Sequence, residues 1–178
     1  MARVVTEKTF ITKAEIAAMV KRLGKQITED YRGEKILLIC ALKGAFMFMA
    51  DLVREIDLPL RVDFMAISSY GNGTESSGVV KILKDCDVNI TGCHVIIVED
   101  IVDSGLTMKK LMEMLSTRNP ASLELCAAFN KPARRKTDVN PKYIGMNVAD
   151  EFIVGYGLDF EDYYRNIPEV CILQEEEN

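Results

Sequence analysis

The chain has a single histidine, His94, and its five cysteines include no Cys-x-x-Cys pair. The histidine directly precedes an apolar run that predicts a buried strand, so we interpret it as a strand-entry residue and not as part of a Ser-His-Asp or Cys-His mechanism. Three of the cysteines lie within apolar, strand-like runs, which is typical of reduced, buried thiols in a cytoplasmic protein. A histidine-based nucleophilic mechanism and a paired-cysteine site are therefore disfavoured.

Long apolar runs and a basic surface are also lacking. No apolar run approaches the ~18 residues needed to span a bilayer, and the N-terminus has no apolar stretch of the secretion-signal kind. The formal net charge is −5 and the pI about 5.1, and the only basic run, residues 131–136, is short. Because nucleic acids and anionic membranes attract basic surfaces, we expect a soluble cytoplasmic protein that binds neither.

Apolar runs that predict buried strands alternate along the chain with segments of helical spacing. This alternation is typical of an open, mainly parallel α/β sheet flanked by helices, in which ligands bind beyond the carboxyl ends of the strands. The length of 178 residues, 48% of them apolar, suits one domain with a substantial core. We therefore expect a single domain, residues 1–178, with its terminal segments forming a small hood.

The most informative stretch is residues 95–107, Val-Ile-Ile-Val-Glu-Asp-Ile-Val-Asp-Ser-Gly-Leu-Thr. Its apolar start predicts a strand buried on both faces, and Glu99 and Asp100 follow at the carboxyl end of that strand. Residues 103–107 have the composition of a tight loop before a helix, where backbone N–H groups and two hydroxyls are able to hold a phosphate. The loop is neither Gly-x-x-x-x-Gly-Lys nor Gly-x-Gly-x-x-Gly.

A ligand that matches this stretch carries a phosphate and a diol for the acids to hold, with Mg²⁺ to offset the repulsion between the negative charges. The alternative is a solvated acidic loop, as in metal-binding receiver domains. The combination of paired acids with the phosphate loop at this spacing argues against that alternative.

Two lysines are predicted to lie at the same edge of the sheet. Lys43 follows the strand at residues 35–41 in a sharp turn, and Lys131 follows the strand at residues 123–129, which Pro132 ends. A lysine in a turn or at a strand end is usually only solvated, so the residues alone leave both roles open.

Residues 95–107 closely resemble the phosphoribosyl-pyrophosphate signature of type I phosphoribosyltransferases, in the form found in the hypoxanthine-guanine phosphoribosyltransferases. The similarity runs in order along nearly the whole chain. The matching segments are Leu42-Lys43-Gly44, Ser69-Tyr70, residues 99–107, Lys131, residues 152–159 and Arg165.

The resemblance implies the type I phosphoribosyltransferase fold and a Mg²⁺-dependent purine-salvage enzyme. Such an enzyme joins hypoxanthine or guanine to the ribose of phosphoribosyl pyrophosphate, giving IMP or GMP and pyrophosphate. It also implies a homodimer or homotetramer. The alternative is a regulator that retains the fold as a phosphoribosyl-pyrophosphate sensor and binds nucleic acid. That alternative requires a contiguous basic face, which this acidic sequence does not offer.

By resemblance, Glu99 and Asp100 hold the ribose hydroxyls and a Mg²⁺, and Asp103 is the general base at the purine N7. The 5′-phosphate is held by a loop that departs from some members of the family, which carry lysine in place of Leu106. Because backbone N–H groups hold most of the phosphate, this departure leaves the assignment in place. The phosphate loop comprises Asp103, Ser104, Gly105, Leu106 and Thr107.

The leaving pyrophosphate is assigned by resemblance to Lys43, the N–H of Gly44, and Arg165, with Asp159 binding a second Mg²⁺. The resemblance also implies a cis peptide bond between Leu42 and Lys43.

For the base, the resemblance makes Lys131 the donor to the purine 6-oxygen and Phe152 the stacking platform, with backbone groups near Ile153 and Asp159 reading the 2-position. From its apolar neighbours alone, Phe152 is instead a core residue.

Residues 68–78 are polar and glycine-rich, with one aromatic residue, Tyr70. This composition suits a mobile lid, and a plain hairpin loop is the alternative. The resemblance favours a lid that carries Ser69 and Tyr70.

Overall fold

Strands and helices alternate along the chain for most of its length. The structure, a computed structural model, describes residues 5–70 and 79–175. In chain order the elements are β1 (Val5–Ile11), α1 (Lys13–Asp30), β2 (Ile36–Leu42), α2 (Phe46–Glu55), β3 (Leu60–Tyr70), β4 (Val79–Lys84), β5 (His94–Val102), α3 (Leu106–Ser116), β6 (Ser122–Asn130), a 3₁₀ turn (Pro132–Arg134), β7 (Tyr143–Asn147), β8 (Ile153–Val154) and β9 (Val170–Glu175).

The main sheet has six strands in the order β4-β3-β2-β5-β6-β7. All neighbours pair in parallel except β3 and β4, which are antiparallel. The carboxyl ends of β2, β5 and β6 therefore meet at one edge, and the segments that follow these strands are brought together there.

The two central strands, β2 and β5, are buried on both faces. Successive residues of a strand point to opposite sides. Alternate residues of both strands accordingly join the buried residues of α1 and α2 in one core cluster, and the intervening residues join those of α3 in a second. Residues 95–98 are fully buried, as their uninterrupted apolar run predicts.

Helix α1 begins where its capping residues predict. The side chain of Thr12 accepts a hydrogen bond from the N–H of Glu15, and the Glu15 carboxylate accepts one from the N–H of Thr12. This reciprocal pair satisfies two of the donors that a helix start leaves without partners. The buried residues of the helix recur at helical spacing and pack on the sheet.

His94 is the first residue of β5, and its Nδ1 lies 2.9 Å from Oγ of Ser122. The prediction of a strand-entry residue is confirmed. None of the helices in the described part of the chain is long and apolar enough to cross a membrane.

Two features differ from the prediction. Strand β3 continues to Tyr70, into the polar stretch predicted to form a lid, because it pairs with β4 up to the match of Tyr70 with Val79. Residues 71–78, the centre of the predicted lid, lie outside the described residues, as do the side chains of Ser69 and Tyr70. The lid stays a prediction.

The other difference is β1, which the sequence did not indicate. It pairs with β9 from the opposite end of the chain, and β8 completes this second sheet in the order β1-β9-β8. The expectation of a hood concerns these terminal strands, and it stays a prediction.

Candidate functional site

A pocket of about 430 Å³ opens at the carboxyl edge of the main sheet. Its walls are the turn after β2, the end of β5 with the loop that follows, the start of α3, and the segment between β8 and β9. Most of the site residues predicted from the sequence line it: Lys43, Gly44, Glu99, Asp100, Asp103, Ser104, Gly105, Thr107, Asp159 and Arg165. Leu106, Lys131, Phe152 and Ile153 do not.

The paired acids lie at the end of β5. The N–H of Asp100 donates to Oε1 of Glu99 at 3.1 Å, and the N–H of Ile101 donates to Oδ1 of Asp100 at 2.7 Å. Burial raises the pKa of Glu99 well above its ordinary value, and the adjacent Asp100 carboxylate adds to the increase. The pocket therefore holds a carboxyl group whose negative charge is poorly solvated.

Glu99→Gln should raise the melting temperature at about pH 8. The unfolded chain ionises Glu99 more readily than the folded chain, so ionisation lowers stability as the pH rises from the ordinary carboxylate range through the raised pKa. A neutral glutamine avoids that loss. Calorimetry should show the advantage over wild type at about pH 8 and its disappearance below about pH 4. Glu29→Gln, on the exposed face of α1, is the matched control. An equal gain at both pH values would contradict the assignment to ionisation.

The predicted phosphate loop ends earlier than expected, because α3 already begins at Leu106. Gly105 is the N-cap residue with φ 79°, a left-handed conformation that favours glycine, and as a glycine it offers no side chain to cap the helix. A Cβ atom at this position would also overlap Oγ1 of Thr137. The N–H of Leu106 donates to Oγ of Ser104 at 3.4 Å. Thr107 and Met108 of the first turn line the pocket, so the positive end of the helix lies at the pocket wall.

The two carboxylate oxygens of Asp103 have different surroundings. Its Oδ2 lies 3.5 Å from Nη1 of Arg134, and its buried Oδ1 has no hydrogen-bond partner among the described residues. Arg134 also pairs with Asp150. The sequence showed Arg134 only as part of a short basic run, and nothing in the local pattern marked it as the neighbour of Asp103.

The turn after β2 contains the cis peptide bond between Leu42 and Lys43 that the resemblance implies. A Cβ atom on Gly44 would overlap Oδ2 of Asp100, and one on Gly157 would overlap the carbonyl oxygen of Gly44. Two glycines therefore allow this turn to approach both the acidic end of β5 and the segment after β8.

Two cationic side chains, those of Arg165 and Lys43, lie on the side of the pocket formed by the turn after β2. Arg165 donates to the carbonyl oxygen of Gly157 at 2.8 Å and pairs with Oδ1 of Asp159 at 2.8 Å. Lys43 Nζ lies 2.9 Å from Oδ1 of Asp162, which is also 3.1 Å from Nη2 of Arg165. Sequence reasoning missed Asp162, because nothing in the local pattern places it beside a lysine that is distant in the chain.

Lys131 and Phe152 are not among the residues that line the pocket, although Lys131 contacts one of them, Val102. Lys131 is only 6% exposed, its N–H donates to the carbonyl oxygen of Val102, and its Nζ donates to that of Glu151 at 2.6 Å. Burial lowers the pKa of Lys131. The alternative of a solvated strand-end lysine is wrong.

Phe152 is 51% exposed, and its ring meets that of Phe160 edge-on at 5.6 Å. The alternative of a core residue is wrong. Ile153 is buried in β8, an edge strand that pairs with β9.

Comparison with known proteins agrees with this arrangement. Residues 10–161 match the family model of the phosphoribosyl transferase domain. The hypoxanthine-guanine phosphoribosyltransferase of Streptococcus thermophilus is 47% identical over 170 residues, 96% of this chain and 94% of that protein. The hypoxanthine phosphoribosyltransferase of Salmonella typhimurium is 49% identical over 167 residues, 93% of this chain and 94% of that protein.

A similar solved structure is that of a hypoxanthine-guanine phosphoribosyltransferase from Bacillus anthracis. Its TM-score is 0.92 at 46% identity, with 96% of this chain and 100% of that chain covered. None of these three relatives is named as a nucleic-acid-binding regulator, so the regulatory alternative gains no support. Since the family model matches most of the chain and relatives near half identity cover almost all of it, the chain belongs to the phosphoribosyltransferase family and has the type I fold.

Proposed function

We propose that the chain is a purine-salvage enzyme that transfers the 5-phosphoribosyl group from phosphoribosyl pyrophosphate to hypoxanthine and guanine. The observation that carries the proposal is that one pocket combines an acidic strand end, a helix start with a glycine N-cap and two cations. These features match the diol, the 5′-phosphate and the pyrophosphate of one substrate. The names of the relatives supply the acceptor bases.

On the ribose side, Glu99 and Asp100 accept hydrogen bonds from the two hydroxyls, and the start of α3 binds the 5′-phosphate. Ser104 and Thr107 add hydroxyl donors at the rim of this cradle. As the bond to pyrophosphate breaks, positive charge develops on the ribose, and the nearby carboxylates stabilise it. The base attacks the opposite face, so the configuration at the anomeric carbon is inverted.

On the leaving-group side, Lys43, the N–H of Gly44 and Arg165 bind the pyrophosphate. Arg165 is held by Asp159 and by the carbonyl oxygen of Gly157. The guanidinium is thus positioned before the substrate arrives, which lowers the cost of ordering it.

The donor set fits Mg²⁺. The pocket offers only oxygen ligands from Glu99, Asp100 and Asp159, and in the described ranges no three His, Cys, Asp or Glu side chains gather as a preformed metal site. Mg²⁺ commonly binds through one or two carboxylates and completes its shell with water and substrate phosphates. When bound, it offsets the negative charge of the acids and of the pyrophosphate.

At the base, the Asp103 carboxylate at the pocket wall accepts the N7 proton, since a purine that forms a bond at N9 must lose that proton. Lys131 donates to the 6-oxygen, and the exposed face of Phe152 stacks on the ring. Backbone groups near Ile153 and Asp159 read the 2-position.

We further propose a homodimer or homotetramer in the cytoplasm. Large apolar side chains are about 40% exposed at Phe46, Val62 and Phe64, which suits contact between subunits. The buried cysteines suit a reducing compartment.

Gly44→Ala should lower kcat/KM for phosphoribosyl pyrophosphate by roughly 10- to 100-fold, because its methyl group displaces the Asp100 carboxylate from the ribose site. Steady-state kinetics measure the effect. Gly33→Ala is the control: Gly33 has positive φ but open space around it, so it should lose about 1 kcal/mol of stability and keep its activity. Equal losses of activity in both variants would mean that stability, not the pocket, is affected.

The experiment that tests the function is turnover with hypoxanthine, guanine, xanthine, adenine and uracil in turn, at fixed phosphoribosyl pyrophosphate and Mg²⁺. We expect nucleotide and pyrophosphate with hypoxanthine and guanine, and little or none with adenine and uracil. Turnover only with adenine or uracil would overturn the proposed acceptor class.

A further inference from the structure

The two cations assigned to pyrophosphate are already bridged by a carboxylate of the protein. A single oxygen, Oδ1 of Asp162, lies 2.9 Å from Nζ of Lys43 and 3.1 Å from Nη2 of Arg165. Neither the sequence motifs nor the roles assigned above use Asp162. Its carboxylate occupies the position where a phosphate oxygen would meet both cations.

The surrounding turn presents Asp162 to the cations. Its N–H donates to Oδ2 of Asp159 at 2.9 Å, and its φ is 66°, a left-handed conformation that aspartate and asparagine adopt more readily than most residues. Glu161 and Tyr164 are also left-handed, with φ 53° and 72°.

We propose that Asp162 is an internal substitute for the leaving group: it pairs with Lys43 and Arg165 in the free enzyme, is displaced by pyrophosphate, and returns as pyrophosphate leaves. The inference rests on the proposed function, in which these two cations bind pyrophosphate. Displacement is feasible because the side chains of Asp162 and Lys43 are 66% and 69% exposed. Arg165 retains Asp159 and Gly157 as partners when Asp162 departs.

The consequence is a competition that weakens binding of phosphoribosyl pyrophosphate and of product pyrophosphate alike. Exposed ion pairs are individually weak, so two of them should lower the affinity for pyrophosphate by roughly 3- to 10-fold at low ionic strength. Salt screens both the ion pairs of Asp162 and the binding of pyrophosphate to the same cations. The effect of Asp162 on the affinity for pyrophosphate should therefore shrink as salt is added.

The test is isothermal titration of the full chain with pyrophosphate in Mg²⁺ buffer. Asp162→Asn keeps the size of the side chain and tolerates the left-handed backbone, and Asp162→Gly removes the side chain. Both should bind pyrophosphate roughly 3- to 10-fold more tightly than wild type, with a matching fall in KM for phosphoribosyl pyrophosphate. A folding defect would not tighten binding.

Glu161→Gln is the matched control, since it removes one negative charge from the neighbouring exposed residue. Unchanged or weaker binding in both Asp162 variants would overturn the inference, as would equal tightening by Glu161→Gln. Lys43→Ala separates this failure from that of the proposed function. If wild type does not bind pyrophosphate, or binds it as well without Lys43, the pyrophosphate site itself is misassigned and the inference falls with it.

Discussion

Asp103→Asn should lower kcat by roughly 10²-fold or more while the affinity for phosphoribosyl pyrophosphate stays within several-fold of wild type. Asparagine keeps the shape of the side chain but cannot accept the N7 proton as a carboxylate does. The Asp103 carboxylate lines the pocket, and its basicity is what the variant loses. Binding of the ribose and phosphates depends on other groups and should persist.

Single-turnover kinetics and equilibrium binding separate the two quantities. Asp138→Asn is the control, because it removes a carboxylate that is paired with Lys109 and does not line the pocket. An unchanged kcat in Asp103→Asn would remove Asp103 from the role of base. A large loss of substrate affinity would instead show that it acts mainly in binding.

Lys131→Gln should reduce kcat/KM for hypoxanthine and guanine and bring both values closer to kcat/KM for adenine. An ammonium group donates hydrogen bonds but cannot accept them, so it pairs with a 6-oxygen and meets the 6-amino group of adenine donor to donor. Lys131 is almost fully buried, and a buried group left without its partner is costly. Sites built on such pairing reject the wrong substrate by ~10⁴-fold. A glutamine amide is able to rotate and accept a hydrogen bond from the 6-amino group of adenine.

The measured quantity is the ratio of kcat/KM for hypoxanthine to that for adenine. Lys136→Gln, nearby and exposed, is the matched control. Thermal unfolding of each variant detects any stability loss, since Lys131 also bonds to the carbonyl oxygen of Glu151. An unchanged ratio in Lys131→Gln would mean that another residue reads the base.

The main sheet and most of the pocket could be predicted from local sequence. Uninterrupted apolar runs are typical of strands buried on both faces, and the polar residues after such runs must meet at one edge when the strands are parallel. Glu99, Asp100 and Lys43 were placed together by this argument alone. Their individual roles came from the resemblance to a family and not from periodicity.

The remaining features depend on contacts between distant segments. Strand β1 is a strand because it pairs with β9. Lys131 is buried because the segment around Glu151 covers it, and Asp162 reaches Lys43 only through a turn of left-handed residues. Arg134 likewise meets Asp103 across the ends of two strands. None of these contacts leaves a pattern in the nearby sequence.

Formation of IMP is the most direct test that this chain is a purine-salvage transferase. Purified protein is mixed with hypoxanthine, phosphoribosyl pyrophosphate and Mg²⁺, and IMP and pyrophosphate are quantified over time, with Asp103→Asn run in parallel. We expect IMP and pyrophosphate in equal amounts with wild type and a far slower reaction with the variant. Release of pyrophosphate without IMP, or no reaction at all, would contradict it.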